Sequence, residues 1–168
     1  MATAEAIRAL EPVTELACLS AHGQLYGVGV RQIREIVRSH QLTPLPNAPV
    51  LIEGVIDLRG VMLPVIDLGR AIGQGPLKQG PRMRIAVLEA NDMSFGLLVD
   101  TAVDVFAVGP DDLCDAPALA TRTGYDAVRG MLRRENGPPI LVLSLEHLLE
   151  RVRLSTLPVG EASEGSES

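Results

Sequence analysis

The chain has 168 residues, a formal net charge of −6, and a hydrophobic share of 46% with only 2% aromatic. With no dense Lys/Arg cluster, no Trp and two each of Phe and Tyr, it has neither an electrostatic footprint for a phosphate backbone nor a platform for stacking bases, so nucleic acid is not an expected partner. No run of about 18 apolar residues occurs, so direct membrane insertion is not expected either.

A core of Val, Ile, Leu and Ala, with 12 Pro and 16 Gly spread along the chain, suits many short strands with frequent turns, an all-β chain. Residues 1–12 have weak helical spacing and read as an N-terminal arm; 13–154 read as one domain, and 155–168 as an acidic, small-residue tail expected to be disordered. Val13 to Ser20 reads as a strand, AHGQ as a turn and Leu25 to Val30 as its hairpin partner. Tyr26, Val28 and Val30 then share one face, and Gly27 and Gly29 the other, which implies close packing there or a bulge. Ile33, Ile36 and Val37 have the spacing of one helical turn, giving way to extended chain from about Glu35. Asn47-Ala-Pro is a turn, and Pro49 is placed to open a short helical turn through Glu53.

The central stretch from Glu53 to Arg70 holds two apolar runs, Val55 to Leu58 and Val61 to Leu68, joined at Arg59-Gly60. Val and Ile favour a pleated surface and Gly60 tolerates a positive φ, so these are two strands around a tight turn with Arg59 at its tip. Pro64 cannot donate to a ladder and marks an edge, a bulge or a switch of sheet. Arg59 is placed either for a partner or for an internal pair with Asp57 or Asp67. Asp67 itself caps a helical turn through Leu68, Ala71 and Ile72 that stops at Gly73, and residues 74–81 form an exposed Gly/Pro-rich loop.

Beyond that loop Arg82 to Glu89 and Phe95 to Val108 read as strands around Asn91-Asp92, with no obvious internal sequence repeat. Asp100 and Asp104 share a face, which an exposed polar strand explains better than acid/base chemistry. Residues 110–127 read as a long loop, Val128 to Glu135 and Pro139 to Leu145 as a hairpin around Asn136-Gly137, and SLEHLLERV as a helix capped by Ser144 with Leu145, Leu148, Leu149 and Val152 along one stripe. Cys18 and Cys114 lie outside any ligand cluster, and His22, His40 and His147 are scattered, so neither metal, cofactor nor enzymatic chemistry is expected.

GVIDLRGVMLPVIDL (54–68) resembles the central motif of the CheW family of bacterial chemotaxis adaptors; YGVGVRQIREI (26–36) and FGLLVDTAVDV (95–105) resemble its flanking blocks in the same order and spacing. Asp57 stands where that family usually has Asn, which would lose a hydrogen bond donated by the side chain. The resemblance implies a mainly β fold of two five-stranded Src-homology-type barrels with an apolar core between them, the second beginning near 74–82. It further implies a cytoplasmic adaptor, recruited to receptor arrays, that couples methyl-accepting chemotaxis receptors to a CheA-type histidine kinase. Carried over by position, Ile33, Glu35, Gly54 and Arg59 form the receptor side, and the kinase side falls on the second barrel around Ile85 to Val99. The alternatives are an adaptor of the same fold in a non-flagellar pathway and a small-ligand-binding β-barrel.

Overall fold

The computed structural model describes residues 15–109, 111–114 and 127–156; the expected arm, the tail from 157 onward and most of the loop 110–127 lie outside the described residues. In chain order the elements are β1 (Glu15–Ala21), β2 (Gln24–Gly29), β3 (Ile33–Arg38), β4 (Thr43–Pro44), β5 (Ile52–Leu58), β6 (Val61–Asp67), α1 (Leu68–Ala71), β7 (Arg84–Ala90), β8 (Met93–Val99), β9 (Thr101–Ala107), β10 (Leu113–Cys114), β11 (Val128–Leu132), β12 (Ile140–Leu143) and α2 (Leu145–Thr156). They form two sheets, ordered β10-β11-β12-β2-β1-β9 and β3-β7-β8-β6-β5-β4. Setting aside the two-residue strands β4 and β10 at the edges, each sheet has the five strands expected of a paired-barrel fold.

Residues 74–81 join β6 to β7, which belong to the same sheet. The chain instead crosses between sheets at the 3-10 turn Val30–Gln32 and at Asp100, whose N–H donates to the Ser20 carbonyl at 2.8 Å. A strand read as continuous from Phe95 to Val108 therefore breaks at Asp100. The helical turn expected from Ile33 falls just before it, at 30–32, because the β-branched residues from Ile33 onward are taken into a ladder with β7.

Three hairpins turn in two residues of positive φ: His22 and Gly23 (52° and 80°), Arg59 and Gly60 (52° and 88°), Asn91 and Asp92 (53° and 63°). That geometry matches the right-handed twist of the flanking strands. The hairpin expected at Asn136-Gly137 is looser. Only Gly137 has a positive φ (132°), and seven residues separate β11 from β12, since Pro138 and Pro139 have no N–H to extend the ladder. Pro49 begins a hydrogen-bonded turn to Ile52 and no helix.

The main core lies between the sheets, where Leu19 and Tyr26 meet Ile56, Ile66 and Ile85, and α2 adds Leu145 and Leu148. A second cluster inside the first sheet takes Leu16, Cys18, Leu132, Ile140 and Val142. Alternate residues of β1 thus enter different cores, so the strand is apolar at nearly every position instead of alternating. Gly27 earns its place here: a Cβ would stand 3.1 Å from Ile140 and 3.2 Å from Leu16. At the sheet boundary the His22 ring bonds the Gly75 carbonyl (2.9 Å) while its backbone N–H donates to Asp100 (2.8 Å).

Burial pushes the Cys18 thiol above its ordinary pKa, outweighing the pull of Arg134, and the side chain is 1% exposed. A disulfide exchange reagent added to the native protein is therefore expected to titrate Cys114 first, with Cys18 reacting only on unfolding. Two equally fast thiols would contradict that placement.

Candidate functional site

The β5–β6 hairpin projects from its sheet, and Arg59 occupies the first position of its turn at a φ of 52°. A long side chain is disfavoured there by crowding of Cβ, and Asn, Asp or Gly is the usual occupant. What Arg59 gains is a tertiary contact. Its Nη2 donates to Glu35 Oε2 on β3 at 2.6 Å. In the sheet order β3 stands at one edge and the β5–β4 pair at the other, so this contact draws the two edges together and curls the sheet toward a barrel. Neither Asp57 nor Asp67 is its partner, although both were candidates.

Asp57 has another task. Its Oδ1 accepts the Gly60 N–H at 2.8 Å and so stabilises the turn that presents Arg59. This is an acceptor's role, which an Asn side-chain oxygen serves equally, so the expected loss of a donated bond does not arise in this turn. Asp67, 1% exposed, accepts the N–H groups of Arg70 (3.1 Å) and Leu77 (3.2 Å), capping α1 as expected and also holding the following loop. Leu77 is consequently buried, and the 74–81 loop is not exposed throughout.

Of the four residues expected to form one surface, Arg59 and Glu35 touch. Arg59 is 73% exposed in its side chain and Glu35 30%. Ile33 is half-buried and packs against the main core. Gly54 faces inward: a Cβ there would overlap the Thr43 carbonyl oxygen and stand 2.9 Å from Thr43 C and 3.0 Å from Pro44 Cα. The close backbone that demands glycine is the chain's own β4, paired to β5 at Pro44 and Gly54. The segment Ile85 to Val99 was expected to carry the kinase side. It forms β7 and β8 at the centre of the same sheet as β3, β5 and β6, and its side chains are buried apart from Glu89 and the end at 91–94, where Met93 is 54% exposed.

Sequence reasoning missed the apolar residues around Arg59. Val61 and Met62 are each 58% exposed and Ile36, beside Glu35, is 42% exposed. Their β-rich context reads as core; as consecutive residues of β6, Val61 and Met62 point to opposite faces, so the strand is open on both sides at this end of the hairpin. A groove of about 810 Å³ opens between the 44–50 loop and residues 73–76, lined in part by Arg70 and Glu53, which stand 3.6 Å apart. Among the described residues no three His, Cys, Asp or Glu side chains stand together as a metal site, and no helix is long and apolar enough to cross a membrane. The site can therefore present a fork of hydrogen-bond donors amid aliphatic surface, which is recognition chemistry for another protein.

Comparison with known proteins agrees. The family model for the CheW-like domain matches residues 15–153. The chain is 32% identical over 132 residues to the chemotaxis protein CheW of Rhizobium meliloti, covering 79% of this chain and 84% of that one. It is 30% identical over 143 residues to the protein FrzA of Myxococcus xanthus, covering 84% and 89%. The crystal structure of the scaffolding protein TtCheW from Thermoanaerobacter tengcongensis superposes with a TM-score of 0.72 at 28% identity, over 82% of this chain and 88% of that one. A mainly β fold of two sheets with a C-terminal helix and a match along almost the whole described chain place this protein in the CheW family of chemotaxis adaptors.

Proposed function

We propose that the protein couples methyl-accepting chemotaxis receptors to a CheA-type histidine kinase in the cytoplasm, as a scaffold that performs no chemistry itself. The observation that carries this reading is the Arg59–Glu35 unit at the hairpin tip, flanked by exposed Val61, Met62 and Ile36, in a chain whose relatives are chemotaxis proteins. Arg59, Glu35 and the aliphatic residues beside them take the receptor; Ile33 and Gly54 support that surface from within. The kinase contact within Ile85 to Val99 is confined to the exposed end around Met93. The similarity to FrzA, as close as that to proteins named CheW, supports a second reading at the level of pathway: the same adaptor role for a CheA-like kinase with a non-flagellar output.

With Arg59 73% exposed, its pair with Glu35 adds only about 0–1 kcal/mol to stability. Arg59→Ala is thus expected to keep its melting temperature while weakening capture of a receptor cytoplasmic fragment by roughly tenfold, since a charge-assisted hydrogen bond is worth about 1.5–3 kcal/mol. Binding of the Arg59→Glu, Glu35→Arg double variant separates the roles. It restores the internal pair with the charges exchanged, so recovered binding would mean that the pair only shapes the hairpin, and continued loss supports contact with the receptor.

A further inference from the structure

We infer, on the reading that the surface around Arg59 takes a receptor, that Arg38 and Arg84 form a second, cationic contact for a carboxylate-bearing stretch of that same receptor. In the ladder between β3 and β7, Arg38 stands directly opposite Arg84. Residues so opposed in an antiparallel pair carry their side chains on one face, with Cβ atoms about 5 Å apart, and like charges there repel. Burial does not demand the pair, since Arg38 is exposed and Arg84 only half-buried. Arg82, exposed in the turn that the Met83 N–H closes on the Gly80 carbonyl, adds a third cation at this end of the ladder.

The chain has a net charge of −6, yet it leaves this repulsion unrelieved. Among the described residues no Asp or Glu carboxylate forms an ion pair with Arg38, Arg82 or Arg84. Asp100, next to the Val99 that stands opposite Arg84, is engaged by the His22 N–H at 2.8 Å. Arg84 donates through Nη1 to the carbonyls of Pro81 (3.3 Å) and Met83 (2.8 Å), which anchors the guanidinium by one nitrogen and leaves Nη2 and Nε for an outside acceptor. Elsewhere in the same two strands an arginine does have its anion: Arg34 of β3 pairs with Glu89 of β7.

The chemistry that relieves two neighbouring guanidinium groups is a carboxylate, which each can meet with a fork of N–H donors. Its source follows from position. Ile36, 42% exposed, lies two residues before Arg38 on the same face of β3 and belongs to the surface assigned to the receptor. A receptor segment that covers Ile36 therefore reaches the arginine pair within about 7 Å.

Titration of the full chain with a receptor cytoplasmic fragment, at about 0.1 M and about 1 M salt, tests this, because the Debye length falls from about 10 Å to about 3 Å over that range. Wild-type affinity is expected to drop by roughly tenfold as salt rises, as expected of charge-assisted contacts. The Arg38→Gln, Arg84→Gln double variant is expected to lose roughly tenfold at the lower salt, together with most of the salt dependence. Its melting temperature should equal or exceed that of the wild type, because a like-charge pair has gone. Arg38→Lys, Arg84→Lys keeps both charges and is expected to keep the salt dependence. Unchanged binding by the Gln variant, while Arg59→Ala loses it, overturns the inference and leaves the receptor reading standing. A lowered melting temperature with the salt dependence intact, or a salt-dependent loss seen only with a kinase fragment, overturns it too. If the wild type does not capture the fragment at either salt, the receptor reading itself fails, and this contact with it.

Discussion

Gly54→Ala is expected to lower the melting temperature by roughly 10 °C, corresponding to about 3 kcal/mol, at the upper end of what overpacking costs. The reason is the identity of the neighbours. A Cβ at this position meets Thr43 O, Thr43 C and Pro44 Cα, all backbone atoms, which cannot swing aside as a side chain can. Relief requires β4 to leave the sheet edge or β5 to shift, and a shift of β5 carries the Arg59 turn with it. Gly60→Ala is the informative comparison: nothing lies within 4 Å of its Cβ, so only the strain of φ 88° applies, about 1 kcal/mol. Differential scanning calorimetry of both variants checks the pair, and an unperturbed Gly54→Ala would contradict the described crossing of β4. Should Gly54→Ala also lose receptor binding, its altered stability would assign that loss to the scaffold, in contrast to Arg59→Ala.

Asp67→Ala is expected to remove about 3 kcal/mol in urea unfolding, the sum of a lost helix cap of about 1 kcal/mol and a buried N–H left without an acceptor, about 1–3 kcal/mol. The carboxylate is 1% exposed and holds two N–H groups, one on α1 and one at Leu77 beyond the loop. Asp67→Asn retains one oxygen and turns its amide toward the other donor, so it is expected to fall between Ala and the wild type. Faster exchange of the Leu77 amide in both variants would localise the effect. If Asp67→Ala unfolds at the wild-type urea midpoint, the double cap described here is not holding the loop.

Much of this molecule could be read along the chain because the deciding forces are local. His22-Gly23 and Asn91-Asp92 are turn sequences whatever surrounds them, the Arg59-Gly60 turn is bounded by β-branched runs, and Asp67 and Ser144 precede their apolar helical stretches at capping distance. The motif around Arg59 was legible as a family trait over the same stretch. The crossings between sheets at 30–32 and at Asp100 were not, since a Gly/Pro-rich loop such as 74–81 looks alike whether it links two sheets or two strands of one.

By itself, then, the amino-acid order determined the strands, the tight turns, the helix caps and a β-built protein with a protruding arginine. Tertiary structure alone decided that Arg59 pairs with Glu35, 24 positions away, that the atoms confronting Gly54 belong to Thr43 and Pro44, and that β2 and β3 lie in different sheets. Propensity acts between neighbours in sequence, whereas these outcomes depend on which strand edges meet, a choice made by burying apolar area over the whole chain.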